Sequence, residues 1–134
     1  AGESRTRRAT MGTRMVDRPT LQINLGHTLS LAASARAAIA EACHEVDRRI
    51  AAEQVPDTAD YFRQQAIVSV AVEQLGAAMD LLVRVHGGNG LRAGGTFDRR
   101  LRDFRAMSLH INVHRDRIVH QVGRLALGID LDPF

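Results

Sequence analysis

The sequence predicts an all-α protein, an antiparallel helical bundle. Apolar residues recur at helical spacing over two long stretches, nowhere does the chain alternate apolar and polar residues as a half-buried strand would, and a glycine-crowded segment separates the second stretch from a third. At 134 residues and 45% apolar content the chain is one domain by length, with enough apolar side chains to build a core without disulfides or metals.

Residues 1–18 hold Gly2, Gly12 and five arginines but no periodic apolar face, and they read as a linker or truncated entry segment ahead of a bundle spanning residues 19–134. Pro19 has the fixed φ of a first-turn residue. From there Leu21, Leu25, Leu29, Ala32, Ala33, Ala37, Ala40, Cys43 and Ile50 keep helical spacing to about Glu53. Val55-Pro56-Asp57-Thr58 breaks this helix and supplies a cap for a second, carried by Phe62, Ile67, Val70, Val72, Leu75, Met79, Leu82 and Val85. His86-Gly87-Gly88-Asn89-Gly90 stops the second helix, and the loop that follows packs five glycines into nine residues. A third helical region begins near Phe97 and runs as one or two helices through Leu101, Phe104, Met107, Leu109, Ile111, Val113, Ile118, Val122 and Leu125, before Gly128 and the DLDPF tail. No internal repeat has a period of a solenoid.

All 18 basic residues are arginine, which explains a pI near 10.3 beside a net charge of only +3. The arginines alternate with acids, as in Asp98-Arg99-Arg100 and Arg115-Asp116-Arg117, and aromatics are only 4%, so the pattern argues against a nucleic-acid face. No uninterrupted apolar run approaches a membrane span and no apolar signal core follows the arginine-rich start, which leaves the cytoplasm as the expected compartment and no membrane partner. The one cysteine, Cys43, is expected to be a buried or half-buried thiol.

Taken alone, Gly87-Gly88-Asn89-Gly90 is a helix stop and turn. It lacks the strand and spacing of a dinucleotide fold, although its backbone N–H groups suit a phosphate. His110 and His114 stand four apart, a spacing able to ligate zinc on a helix, but Ile111 and Asn112 follow His110 where a metalloprotease would carry its glutamate base, so no metal is expected. Arg99, Arg100, Arg102 and Arg105 read as a solvated face paired with Asp98 and Asp103.

The run from Arg84 through His86-Gly87-Gly88-Asn89-Gly90, followed by Arg99-Arg100-Leu101-Arg102-Asp103, resembles the C-terminal segment of acyl-CoA dehydrogenases, where a "QxxGGxG" loop leads into an "RxxRD" helix. Upstream, Arg8-Ala9-Thr10-Met11-Gly12 resembles that family's "RxxFG". Arg84 replaces the family's glutamine and Met11 its phenylalanine. The resemblance implies an acyl-CoA dehydrogenase C-terminal bundle. It also implies that an N-terminal helical domain and a β-domain belong to the complete enzyme, and that the assembly is a homotetramer. Arg8, Arg84, Gly87, Gly88 and Gly90 inherit contact with the phosphates of a flavin, FAD or FMN, held by a neighbouring subunit. A guanidinium matches phosphate oxygens, and glycine lets the backbone come close.

Many dehydrogenases of this family place a catalytic glutamate nine residues after the arginine of "RD", and here that position is Ile111, which cannot remove a proton. One residue earlier stands His110, which is similar to a histidine of the type-2 branch, the flavin-dependent monooxygenases such as dibenzothiophene monooxygenase and the oxygenase component of p-hydroxyphenylacetate hydroxylase. That resemblance implies a reduced-flavin-dependent hydroxylase working through a flavin C4a-hydroperoxide, served by a separate flavin reductase. His110 would be its acid/base, and Met107, Leu109 and Ile111 would form a wall against water. Two alternatives stand beside it. One is an acyl-CoA dehydrogenase whose base lies outside these residues; the other is a non-catalytic assembly bundle using the alanine-rich face of Ala32, Ala33, Ala35, Ala37 and Ala38. In every enzymatic reading the 134 residues are part of a larger oxidoreductase and are not expected to act alone.

Overall fold

The computed structural model describes residues 12 and 14–133. Among these, four α-helices carry the fold: α1 (Pro19–Ala51), α2 (Thr58–His86), α3 (Thr96–Ser108) and α4 (Arg115–Ala126). Short 3₁₀ turns precede α1, fill the glycine loop and separate α3 from α4. The all-α bundle expected from the apolar spacing is therefore the fold observed.

α1 and α2, 33 and 29 residues long, form an antiparallel hairpin about 50 Å long at 1.5 Å per residue. The buried residues of α1 are Leu21, Thr28, Ala35 and Ala42, a seven-residue repeat. The buried residues of α2 are Phe62, Ser69, Ala71, Val72 and Ala78. Such a repeat keeps one seam toward the partner, as in a coiled coil, and its small side chains let two backbones lie close. The buried hydroxyls are satisfied inside their own helices: Thr28 Oγ1 donates to the Asn24 carbonyl at 2.8 Å and Ser69 Oγ to Ala66 at 2.9 Å. The sequence pattern had placed Leu29 and Ile50 with the core. In the structure both are exposed, because the seam follows the small residues and leaves the large ones on a second face. Cys43 is likewise exposed rather than half-buried; its neighbour Ala42 takes the inward position.

The hairpin tip is closed by one carboxylate. Asp57 caps α2 by accepting from the Asp60 N–H at 2.7 Å, while Asp60 Oδ2 accepts from the Asp57 N–H at 3.3 Å. The same Asp60 side chain accepts two bonds from the Arg49 guanidinium at the end of α1 and one from Arg63. Hydrogen bonding from Arg49 holds the Asp60 carboxyl below its ordinary value, and Asp60 in turn raises Arg49. α1 itself ends with Glu53 at φ 54°, its N–H on Ile50 and that of Gln54 on Arg49, a left-handed helix stop normally given to glycine. α4 ends in the same arrangement, but there Gly128 supplies the left-handed residue, at φ 66°.

α2 is the central helix, in contact with α1, α3 and α4. Ile118 and Gln121 of α4 are fully buried against the bundle, and the Gln121 amide clasps the peptide of Asp132, donating to its carbonyl at 3.2 Å and accepting from its N–H at 3.1 Å. α2 is also long and apolar enough, by length and composition alone, to cross a bilayer, and 22% of its most apolar window is buried. Ile67 and Val70 of α2, with Ile23 and Leu29 of α1, remain exposed.

Two predictions follow from the hairpin tip. Glu53→Gly relieves the left-handed strain and is expected to raise unfolding free energy by about 0.5–1 kcal/mol, read as a higher denaturant midpoint. Because the Asp60 carboxyl is held low in the folded chain, its contribution is complete above the unfolded value of about 3.9 and is lost as pH falls through the folded value. Asp60→Asn is therefore expected to lower the midpoint at pH 7, with the gap to the parent chain closing in urea titrations carried progressively below pH 4.

Candidate functional site

The glycine loop begins where Gly87, at φ 63°, turns the chain out of α2 while its N–H still bonds the Val83 carbonyl. A side chain there is disfavoured by backbone conformation alone. Gly88 is different: its φ is not in the left-handed region, and an added Cβ would meet nothing within 4 Å. Gly90 lies in the same 3₁₀ turn, Gly87–Leu91. On the far side of the loop Gly94 has φ 81°, and Gly95 packs so that a Cβ would stand 3.1 Å from the Arg92 carbonyl. The Asp98 carboxylate accepts the Gly94 N–H at 3.3 Å and Arg102 at 3.0 Å, tying the loop to the start of α3. Across the loop's mouth the His86 ring stacks on Phe97, with centroids 4.4 Å apart.

Arg84 is exposed one turn before the loop, on the last turn of α2. Arg8, the other arginine assigned to phosphate, lies outside the described residues. The arginine face of α3 is only partly intrahelical: Arg102 pairs with Asp98, but Arg105 reaches Asp80 of α2 at 3.6 Å.

His110 is not on a helix. α3 stops at Ser108, His110 adopts extended backbone at φ −64° and ψ 138°, and its side chain caps the 3₁₀ turn Ile111–Val113. The Asn112 N–H donates to His110 Nδ1 at 3.2 Å. His114 begins α4 as its N-terminal flanking residue, so the two histidines do not share the helical face that a four-residue spacing suggested. The break has a local cause: Ile111 and Val113 are β-branched and Asn112 competes for backbone bonds, which together weaken any helix through this segment. The pair His110 and Asn112 was the signal in the sequence that could have revealed it. Among the described residues no three His, Cys, Asp or Glu side chains gather as a metal site would require.

Met107, Leu109 and Ile111 flank His110 and are exposed, Leu109 by 72% and Ile111 by 57%. The apolar wall expected around the histidine therefore faces outward. The glycine loop and His110 sit at opposite ends of α3, about 20 Å apart along its axis. A cavity of about 180 Å³ opens elsewhere, at the hairpin tip between Val46, Ile50, Pro56, Tyr61 and Gln64. It lies about 33 Å along α2 from the loop, and no residue assigned to flavin lines it.

These features define an all-α bundle domain whose two chemically suggestive patches, a glycine loop and a capped histidine in an apolar surround, lie on its outside. The family profile described as acyl-CoA dehydrogenase, C-terminal domain, matches residues 1–115, and the chain belongs to that family. No curated protein matches it. Among solved structures it is similar to XiaF from Streptomyces sp., in complex with FADH2 and glycerol, with a TM-score of 0.89 at 21% identity over 99% of this chain and 34% of that one. It is also similar to 3-HSA hydroxylase from Rhodococcus sp. RHA1, with a TM-score of 0.83 at 17% identity over 98% of this chain and 34% of that one. These likenesses show the fold, and the chain spans about a third of the length of either protein.

The two leading glycines are expected to separate on substitution. Gly87→Ala should cost about 1 kcal/mol through its positive φ, whereas Gly88→Ala should leave the thermal midpoint unchanged. Equal losses at both positions would show that the loop is packed rather than open.

Proposed function

We propose that this chain is the C-terminal domain of a reduced-flavin-dependent monooxygenase. The observation that carries the reading is His110 standing in an exposed apolar patch, with aliphatic Ile111 at the position where a dehydrogenase of this family would keep its glutamate. The names of both similar structures, one a complex with FADH2 and the other a hydroxylase, support it.

The residues present fit a flavin phosphate. The backbone at Gly87 and Gly88 opens onto empty space, and Arg84 is exposed beside it. Arg8, Arg84, Gly87, Gly88 and Gly90 are assigned to holding the phosphates of FAD or FMN, and His110 to the ring end of a flavin. With the two patches at opposite ends of α3, the loop serves a cofactor bound mainly by a neighbouring subunit, in keeping with a homotetramer. When bound, the reduced flavin supplies the activation of dioxygen. The chain's own contribution is to orient the cofactor by its phosphates, to offer the His110 imidazole at the reacting end, and to keep water away with Met107, Leu109 and Ile111 once other domains cover them. A separate reductase delivers the reduced flavin. The exposed Ile23, Leu29, Ile67 and Val70 are the surfaces that further domains and subunits cover.

The test uses the complete protein with its upstream domains and a flavin reductase. His110→Ala is expected to lower oxygenated product by about 100-fold or more while flavin binding is kept, and Gly88→Ala to weaken flavin binding without loss of folding. Full hydroxylation by His110→Ala would remove the histidine from the chemistry. Reduction of the bound flavin by an acyl-CoA in the absence of oxygen and reductase would replace this reading with a dehydrogenase whose base lies upstream.

A further inference from the structure

The cavity at the hairpin tip has no part in the flavin reading, and its chemistry is specific. It holds about 180 Å³ between the last two turns of α1, the connection through Gln54 and Pro56, and the first two turns of α2, and its walls are almost wholly apolar. A cavity of about 150 Å³ lined by aliphatic and aromatic side chains accommodates benzene, so this one has room for a single six-membered ring and a small substituent. α1 contributes Val46 and Ile50, one helical turn apart; α2 contributes Tyr61, whose ring stands edge-on to the buried Phe62 with centroids 5.2 Å apart. The left-handed stop at Glu53, φ 54°, brings Gln54 and Pro56 to the rim, and a non-glycine residue keeps that conformation only where its surroundings hold it.

Two polar features touch the cavity, and they differ. Arg49 and Asp60 answer each other: Arg49 gives two nitrogens to Asp60 and Nε to Glu45, and Asp60 also accepts from Arg63 and from the Asp57 N–H. Their bonding capacity is spent, so an ionic ligand gains nothing from them. Gln64, three residues after Tyr61 and on the same face, is the opposite case. Its Oε1 is buried without a hydrogen-bond partner among the described residues. An acceptor shut away unpaired is costly, and the last torsion of a glutamine side chain turns readily, so the amide is free to meet a polar group inside the cavity.

We propose that the hairpin tip binds a small neutral ring compound carrying one hydroxyl, a molecule of the size of phenol, with its ring against Val46, Ile50 and Tyr61 and its hydroxyl on the Gln64 amide. A hydroxyl both donates and accepts, so it pairs with whichever end of the amide turns toward it. The site stands apart from the flavin reading: none of the residues assigned to flavin lines it, and the glycine loop lies about 33 Å away along α2. A ligand there bridges the end of α1 and the start of α2, and so stabilises the hairpin in proportion to its occupancy.

The experiment titrates the complete protein, upstream domains included, with phenol and with toluene, which match in shape and differ in the hydroxyl; ligand-observed NMR reads the binding. Phenol is expected to bind. Ile50→Trp, which fills the cavity from an exposed position, is expected to abolish that binding while the thermal midpoint holds, and Val46→Trp is the second filling variant should the first melt early. Gln64→Leu is expected to weaken phenol about 10-fold and to leave toluene as tight or tighter. Equal losses of both probes in Gln64→Leu overturn the hydroxyl contact and with it the class of ligand. Phenol binding that survives both tryptophan variants lies elsewhere and overturns the site. Failure of the parent protein to bind phenol overturns it too, and is the result expected if a side chain of a neighbouring subunit fills the cavity.

Discussion

At the hairpin tip one carboxylate, Asp60, completes the cap of α2 and pairs with Arg49 at the end of α1, and every later element hangs on the hairpin this closes. Two helices of about 30 residues can slide past one another unless something sets their register. The Asp57–Asp60 box determines where α2 starts, and the Arg49 fork determines where α1 stands against it. From that end the seam proceeds in seven-residue steps through Ala42, Ala35, Thr28 and Leu21. The remaining exposed ion pairs on α1, such as Arg48 with Glu41 and Glu45, contribute little to register because both partners stay wet.

A seam of alanine, serine and threonine buries modest apolar area per residue, and it does so by turning the larger side chains elsewhere. Ile23, Leu29, Ile67 and Val70 stay exposed on the hairpin, while Met107, Leu109 and Ile111 stay exposed near His110. A chain that kept so many large apolar side chains in water would be poorly stabilised for its length. Their distribution over several faces is what the proposed neighbouring domains and subunits would cover.

Within that frame α3 acts as a spacer. Its first turn is tied to the glycine loop through Asp98 and the Phe97–His86 stack, and its last turn releases the chain into the 3₁₀ turn capped by His110. The cavity at the hairpin tip lies apart from both patches. In the proposed reading the domain contributes surfaces to a site rather than containing one. A histidine whose Nδ1 is tied to its own backbone suits such a role, because its orientation is set within its own turn.

Local chemistry is what the sequence alone determined: Pro19 opening α1, Asp57 capping α2, Gly87 ending it and Gly128 ending α4 each act through their own φ or their own side chain, within a few residues. The glycine loop and the arginine helix after it were legible for the same reason, and the family membership with them. Only tertiary structure decided which apolar residues became core. The apolar period runs through Leu29 and not Ala35, yet Ala35 is the buried one, because the choice depends on what the next helix brings to the seam. It also decided that the turn after Ser108, broken and capped locally, is tied to the next helix, where Arg117 donates to the Ile111 carbonyl. A periodic pattern carries no record of such a contact; the contact exists only once α4 has folded back onto α2.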